Sequence, residues 1–113
     1  MNYYEVWVNL APGVGDLEFV ASLQGYLGYL QQRGLLESFT IRRRKFGFGP
    51  EALGEWNITM AFKDLAHMDA AFMRVAKRDE EIESLHARVF SKVTDFKSGL
   101  YRDFPDEVRQ THV

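Results

Sequence analysis

From Tyr3 to Leu10 the chain alternates, with Tyr4, Val6, Val8 and Leu10 directed one way and Tyr3, Glu5, Trp7 and Asn9 the other. A period of two in β-branched and aromatic residues predicts a strand with one buried face. Ala11-Pro12-Gly13-Val14-Gly15 interrupts the pattern, and Asp16 offers a helix N-cap. Beyond it Leu17, Val20, Leu23, Leu27 and Leu30 recur at steps of three and four, joined by Phe19, Tyr26 and Tyr29, until Gly34 supplies a stop. That is a first helix. Gly25 and Gly28 inside it cost roughly 1 kcal/mol each relative to Ala, which predicts close backbone packing there.

Leu35 to Phe46 reads as a second strand, with Phe39 and Ile41 on one face and Ser38, Thr40 and Arg42 on the other. Gly47-Phe48-Gly49-Pro50 is a loop, and Trp56 to Phe62 alternates again, its apolar face made by Trp56, Ile58, Met60 and Phe62. Asp64 caps a second helix carrying Leu65, Met68, Phe72 and Val75, and a further stripe follows at Ile82, Leu85 and Val89. The charged run Lys77-Arg78-Asp79-Glu80-Glu81 between the stripes predicts a bend or break. Phe96, Ser98, Leu100 and Arg102 alternate with Asp95, Lys97, Gly99 and Tyr101 as a fourth strand, which Phe104-Pro105 ends.

The order β-α-β-β-α-β is the split βαβ, or ferredoxin-like, arrangement, an α+β fold. It implies a four-stranded antiparallel sheet with both helices on one face, over Val6, Val8, Phe39, Ile41, Ile58, Met60, Phe96 and Leu100. The other face then carries Tyr3, Glu5, Trp7, Asn9, Thr40, Arg42, Glu55, Asn57, Thr59, Lys97 and Tyr101. A tryptophan and two tyrosines are costly to leave in water, so this open face is expected to be covered. With 113 residues and no internal linker or low-complexity segment, residues 1–113 are expected to form a single domain.

Composition narrows the function classes. The absence of cysteine removes disulfides, thiol catalysis, zinc-thiolate sites and Fe–S clusters together. A net charge of −2 argues against a nucleic-acid partner, which would meet a positive field. The first residues have neither the basic nor the long apolar segment of a signal peptide, and no stretch approaches the ~18 apolar residues of a membrane span. A cytoplasmic protein without membrane contact is the expectation. Nine Phe, five Tyr and two Trp are an excess that suggests an aromatic pocket or a subunit contact.

Candidate chemistry is sparse. Gly13-Val14-Gly15 follows a strand and opens a helix, but Glu18 stands where a dinucleotide fingerprint needs its third glycine, so a plain turn is expected. Arg42-Arg43-Arg44-Lys45 splits between two faces of a strand and reads mainly as solvated charge at a strand end. His67 falls on the helix face opposite Leu65 and Phe72, and His112 lies near the end; neither has a partner at metal-ligand spacing, so no metal site is expected. His86 falls partly on the apolar stripe and, with Glu5, is one of two weak candidates for a base. The open-face set is the stronger candidate: Trp7 and Tyr101 to stack on a ligand, with Asn9, Arg42, Asn57 and Lys97 as polar handles. The same residue types also anchor interfaces.

The element order, the second helix in two pieces and the closing strand Thr94 to Asp103 resemble the dimeric α+β barrel superfamily. That group includes antibiotic-biosynthesis monooxygenases, stress-responsive barrel proteins and NIPSNAP-like proteins. The resemblance implies a homodimer closed through the open sheet faces, with ligands in a cleft between sheet and helices or inside the barrel. It implies a small-molecule-binding protein of unassigned ligand. The alternatives are a cofactor-independent oxygenase or isomerase acting on a small aromatic or polyketide-like substrate, or a structural dimer with no ligand. No cofactor is expected; a haem held by a single histidine, as in some barrel relatives, would fall to His86.

Overall fold

A computed structural model describes residues 1–77 and 79–105. The alternation of Tyr3 to Leu10 forms strand β1 (Asn2–Leu10), followed by helix α1 (Asp16–Gln32), β2 (Ser38–Arg43), β3 (Trp56–Phe62), α2 (Leu65–Ala76), α3 (Glu80–Phe90) and β4 (Val93–Arg102). The strands make one antiparallel sheet in the order β2-β3-β1-β4. This is the ferredoxin-like α+β arrangement, with the second helix divided into α2 and α3. The break falls in the charged run: Lys77 caps α2, and the Asp79 carboxylate accepts from the Glu81 and Ile82 amides to open α3. Arg78 of that run, and His112, lie outside the described residues.

The helices cover the face of Val6 and Val8. Phe19, Leu23, Leu27 and Leu30 of α1 meet Trp56, Ile58 and Phe62 of β3, with Met68 and Ala71 from α2 and Ile82 from α3. Phe19, Leu27 and Ile82 are wholly shielded, each worth roughly 1.5–3 kcal/mol of apolar burial. The core therefore centres on β1 and β3, the two inner strands. Phe96 and Leu100, expected beneath the helices, lie on edge strand β4 and remain 47% and 63% exposed. Leu17 and Leu65 are also exposed, because each stands at the first turn of its helix beyond the reach of the sheet.

Several local expectations change. Strand β2 is shorter than Leu35 to Phe46 because Gly34, with φ +73°, turns the chain before it and Phe46, with φ +55°, turns it after the last cross-strand bond, from the Arg44 amide to the Glu55 carbonyl. The Arg44 guanidinium donates to the carbonyls of Pro50, Leu53 and Gly54 at 2.9, 2.7 and 3.4 Å. Arg43 lies over the Trp56 ring at 5.1 Å and bridges Asp16 and Glu55. Two members of the basic run are thus structural ties rather than solvated charge. Asp16 is the first helical residue, with Gly15 at the N-cap, and its carboxylate takes the Leu17 amide. Gly25 and Gly28 pack against nothing: an added Cβ at either would find no heavy atom within 4 Å. In β4 a bulge opposite Val8 inserts one extra residue, and Asp95 there has φ +56°.

Candidate functional site

Edge strand β4 has no helix packed squarely over it, and the space beside it opens into the molecule. Between the sheet and the helices lies a cavity of about 490 Å³. Its floor is Tyr4, Val6 and Val8 of β1, Ile58, Met60 and Phe62 of β3, and Val93 and Phe96 of β4. Its walls include Phe19, Leu23, Tyr26 and Leu27 of α1, Ala71, Phe72 and Val75 of α2, and His86, Val89 and Phe90 of α3. The exposed members of this lining, Phe72, Ala76, Phe90 and Phe96, mark the mouth. The volume is in the range of small-molecule sites.

Three polar side chains line the cavity: Tyr4, Tyr26 and His86. Tyr26 and His86 meet edge to face at 5.5 Å, and His86 stacks on Phe90, one helical turn away, at 5.5 Å and 19°. Burial pushes the Tyr26 phenol up to about 12, and the neighbouring Tyr4 adds to the rise. It therefore remains a protonated hydroxyl at neutral pH, able to donate as well as accept. Among the described residues no hydrogen bond satisfies Tyr4, Tyr26 or His86. An apolar cavity with two such hydroxyls and an imidazole can hold a lipophilic molecule by one polar group.

The open face has the opposite character, because its polar groups are already engaged with one another. Glu5 accepts from Asn57 Nδ2 at 2.9 Å and Thr59 Oγ1 at 2.7 Å. Arg42 donates to Thr40 at 3.0 Å, Asn9 accepts from the Glu55 amide and donates to Asp95, and Lys97 donates to the Ala52 carbonyl. A Cβ on Gly99 would stand 3.3 Å from the Tyr101 ring and 4.0 Å from Trp7, so these aromatics lie to either side of that glycine. Trp7, Asn9, Arg42, Asn57, Lys97 and Tyr101 share one face, as their alternation requires, but none of them lines the cavity. Glu5 and His86 stand on opposite sides of the sheet and do not act on one common site.

His67 lies opposite Leu65 and Phe72 on α2, and it is Leu65 rather than His67 that faces solvent. Its Nδ1 accepts from the Lys63 amide, its Nε2 meets the Gly34 carbonyl at 2.7 Å, and its ring packs edge-on to Phe62. It pins the start of α2 to the end of α1. Among the described residues, no three His, Cys, Asp or Glu side chains gather where a metal ion could be held, and no helix is long and apolar enough to cross a membrane. Sequence reasoning read Tyr4 and Tyr26 as core. The signal for their role was available: a phenol inside an apolar stripe brings a hydroxyl that a sealed core would have to satisfy.

Solved structures share this fold at low sequence identity. A mutant of SnoaB, a cofactor-independent oxygenase from Streptomyces nogalater, superposes with a TM-score of 0.68 at 9% identity, covering 93% of this chain and 97% of that one. A dimeric ferredoxin-like protein of unknown function from Jannaschia matches with a TM-score of 0.66 at 11% identity, over 90% and 98% of the two chains. An uncharacterized NIPSNAP domain protein from Burkholderia xenovorans gives 0.66 at 18% identity, over 93% and 96%. The fold shared with these proteins is the ferredoxin-like α+β one that the element order implied. No curated protein matches the chain. The model of a protein family matches residues 1–113, end to end, and by it the chain belongs to DUF6614, a family of unknown function.

Proposed function

We propose that the protein binds a small, mostly apolar molecule carrying one hydroxyl or carbonyl group, in the cavity between sheet and helices. The observation that carries this reading is the pair of Tyr4 and Tyr26 hydroxyls, unpartnered beside His86 in an otherwise apolar cavity of about 490 Å³. An apolar wall supplies affinity through burial, and a hydroxyl left without a protein partner in that wall favours a ligand that bonds to it. The open face, with its engaged polar groups and its Trp7 and Tyr101 rings, suits a two-fold contact with a second copy. The dimeric state of the Jannaschia neighbour supports that assembly.

Native mass spectrometry of the purified protein, followed by titration with the amphiphilic fluorophore 1-anilinonaphthalene-8-sulfonate, tests the binding reading. Wild type is expected to bind the fluorophore, and Ala71→Trp, which fills the cavity from α2, to lose at least tenfold in affinity. Equal binding by both proteins at matched stability would refute it.

A second reading follows from His86 facing the same cavity as Tyr26. An imidazole and a phenol in an apolar site can remove a proton next to a ligand carbonyl and steady the resulting enolate, with no cofactor. The SnoaB neighbour, itself a cofactor-independent oxygenase, supports keeping this reading beside the first.

A further inference from the structure

The β2–β3 loop carries two phenylalanines that nothing in the protomer covers: Phe46 is 84% exposed and Phe48 83%. The loop is nonetheless well held, by the three carbonyl bonds of Arg44 and by Gly54 against the Val8 backbone. The cavity mouth exposes Phe96 on β4, the opposite edge of the sheet, with Phe90 of α3 beside it and Phe72 and Ala76 of α2 at its far side. An apolar projection and an uncovered apolar mouth thus occur on one chain: the loop meets its own β4 through the Ala52 carbonyl, which takes the Lys97 ammonium on the open face, while Phe46 and Phe48 stay exposed. Within the protomer Phe46 and Phe48 leave that mouth uncovered.

We propose that Phe46 and Phe48 close the cavity mouth of a second copy, so that each ligand site is completed by its partner's loop. The inference rests on the cavity and sheet-face dimer of the preceding reading. Because β2 runs antiparallel to β3, β3 to β1, and β1 to β4, the two sheet edges β2 and β4 run antiparallel to each other. A two-fold axis parallel to the strands lays the β2 edge of one copy against the β4 edge of the other. Levels also agree. Arg43 pairs with Trp56 and Trp56 with Val8, and Val8 lies opposite the β4 bulge that holds Asp95 and Phe96. The β2–β3 loop therefore leaves its strand just beyond the level of Phe96, at the end of the sheet where the α3–β4 junction follows Phe90. Charge is complementary there: Lys45 lies over the Phe46 ring with no acid paired to it, and Asp95 accepts from Asn9 and Thr94 with no cation paired to it, among the described residues. One two-fold axis makes both contacts at once, so the assembly closes as a dimer.

The chain has no cysteine, so single introduced thiols report proximity cleanly. Phe48→Cys and Phe96→Cys chains, mixed and treated with a short bis-maleimide, should give a covalent product of twice 13.1 kDa that neither variant gives alone. Phe46→Ser/Phe48→Ser should remain dimeric by light scattering and release 1-anilinonaphthalene-8-sulfonate about tenfold faster than wild type, since closing contacts act chiefly on dissociation. A wild-type mass of 13.1 kDa would remove the dimer on which the inference stands. A dimer that gives no mixed cross-link and an unchanged release rate would overturn the loop's role alone. Cosedimentation of wild type, but not of the double variant, with phosphatidylserine vesicles would assign the loop to a lipid surface and likewise overturn it.

Discussion

Gly54 lies against the backbone of Val8 so closely that a methyl group in place of its hydrogen would overlap the Val8 carbonyl. The contact sets where the β2–β3 loop rejoins the sheet, one residue before Glu55 takes the Asn9 side chain through its amide. Backbone on backbone cannot yield as a side chain can, so Gly54→Ala is expected to cost about 1–3 kcal/mol. Urea unfolding followed by far-UV circular dichroism measures this, and an unchanged midpoint would contradict it.

Gly25 and Gly28 behave in the opposite way. Both are helical, and an added methyl group at either meets open space. Gly25→Ala and Gly28→Ala are each expected to raise stability by roughly 0.5–1 kcal/mol, by lowering the entropy that the unfolded chain gives up. Thermal melts of the single variants check this; a lowered midpoint for either would reveal a neighbour that the protomer lacks.

The periodicities of two and three to four residues were enough to read the element order, the inner core and the split of the second helix. The ferredoxin-like arrangement already implies that β4 is an edge, but alternation alone was used to place Phe96 and Leu100, and so their exposure was missed. An apolar residue on a strand looks the same whether its strand is inner or edge, and β4 is an edge. Arg43 and Arg44 were misjudged for a related reason: their partners Asp16, Glu55 and the loop carbonyls are close only in the folded sheet. The open-face residues were grouped correctly because alternation alone determines facing. Alternation says nothing about where a cavity forms, which depends on how far the helices stand from β4. The site of Tyr4, Tyr26 and His86 thus brings together residues from three elements that had each been read separately.

Arg44 offers a test of loop order. Its Nη2 alone donates towards all three carbonyls, so Arg44→Ala removes the three contacts together, and Arg44→Lys, with a shorter reach, restores them only in part. Arg44→Lys and Arg44→Ala should leave global unfolding within about 1–3 kcal/mol of wild type, while chymotryptic cleavage at Phe46 and Phe48 accelerates. Equal cleavage rates in all three proteins would mean that the loop is held by other contacts.

Tyr26 makes stability depend on alkaline pH. Its folded pKa, about 12, lies above the ordinary phenol value of 10.0, so the folded state holds this proton more tightly than the unfolded chain. The contribution is fully present below pH 10 and is lost as pH rises from 10 towards 12, by at most about 2.7 kcal/mol. Tyr3, whose phenol donates to Asp103, is shifted in the same direction, so the loss has two sources. Tyr26→Phe should flatten only its own share. Urea midpoints at pH 9.5 and 11.5 would show this, and parallel losses in wild type and variant would exclude Tyr26 as a source.

The two faces of the sheet make separable predictions about ligand binding. Tyr26→Phe removes one unpartnered hydroxyl from the cavity with little change in volume, and His86→Ala removes the imidazole that stacks on Phe90. Losing a hydrogen bond to a buried ligand group costs about 0.5–1.5 kcal/mol, so Tyr26→Phe should weaken a hydroxyl- or carbonyl-bearing ligand by roughly two- to tenfold. The same variant should leave a purely hydrocarbon ligand of equal size unaffected or bound slightly tighter. Glu5→Gln lies across the sheet, where it meets Asn57 and Thr59, and should leave both affinities unchanged at matched folding. Calorimetry with a matched pair, an aromatic alcohol and its deoxy analogue, reads all three variants. If Glu5→Gln weakens binding while Tyr26→Phe and His86→Ala do not, the ligand lies on the open face and the cavity assignment is wrong.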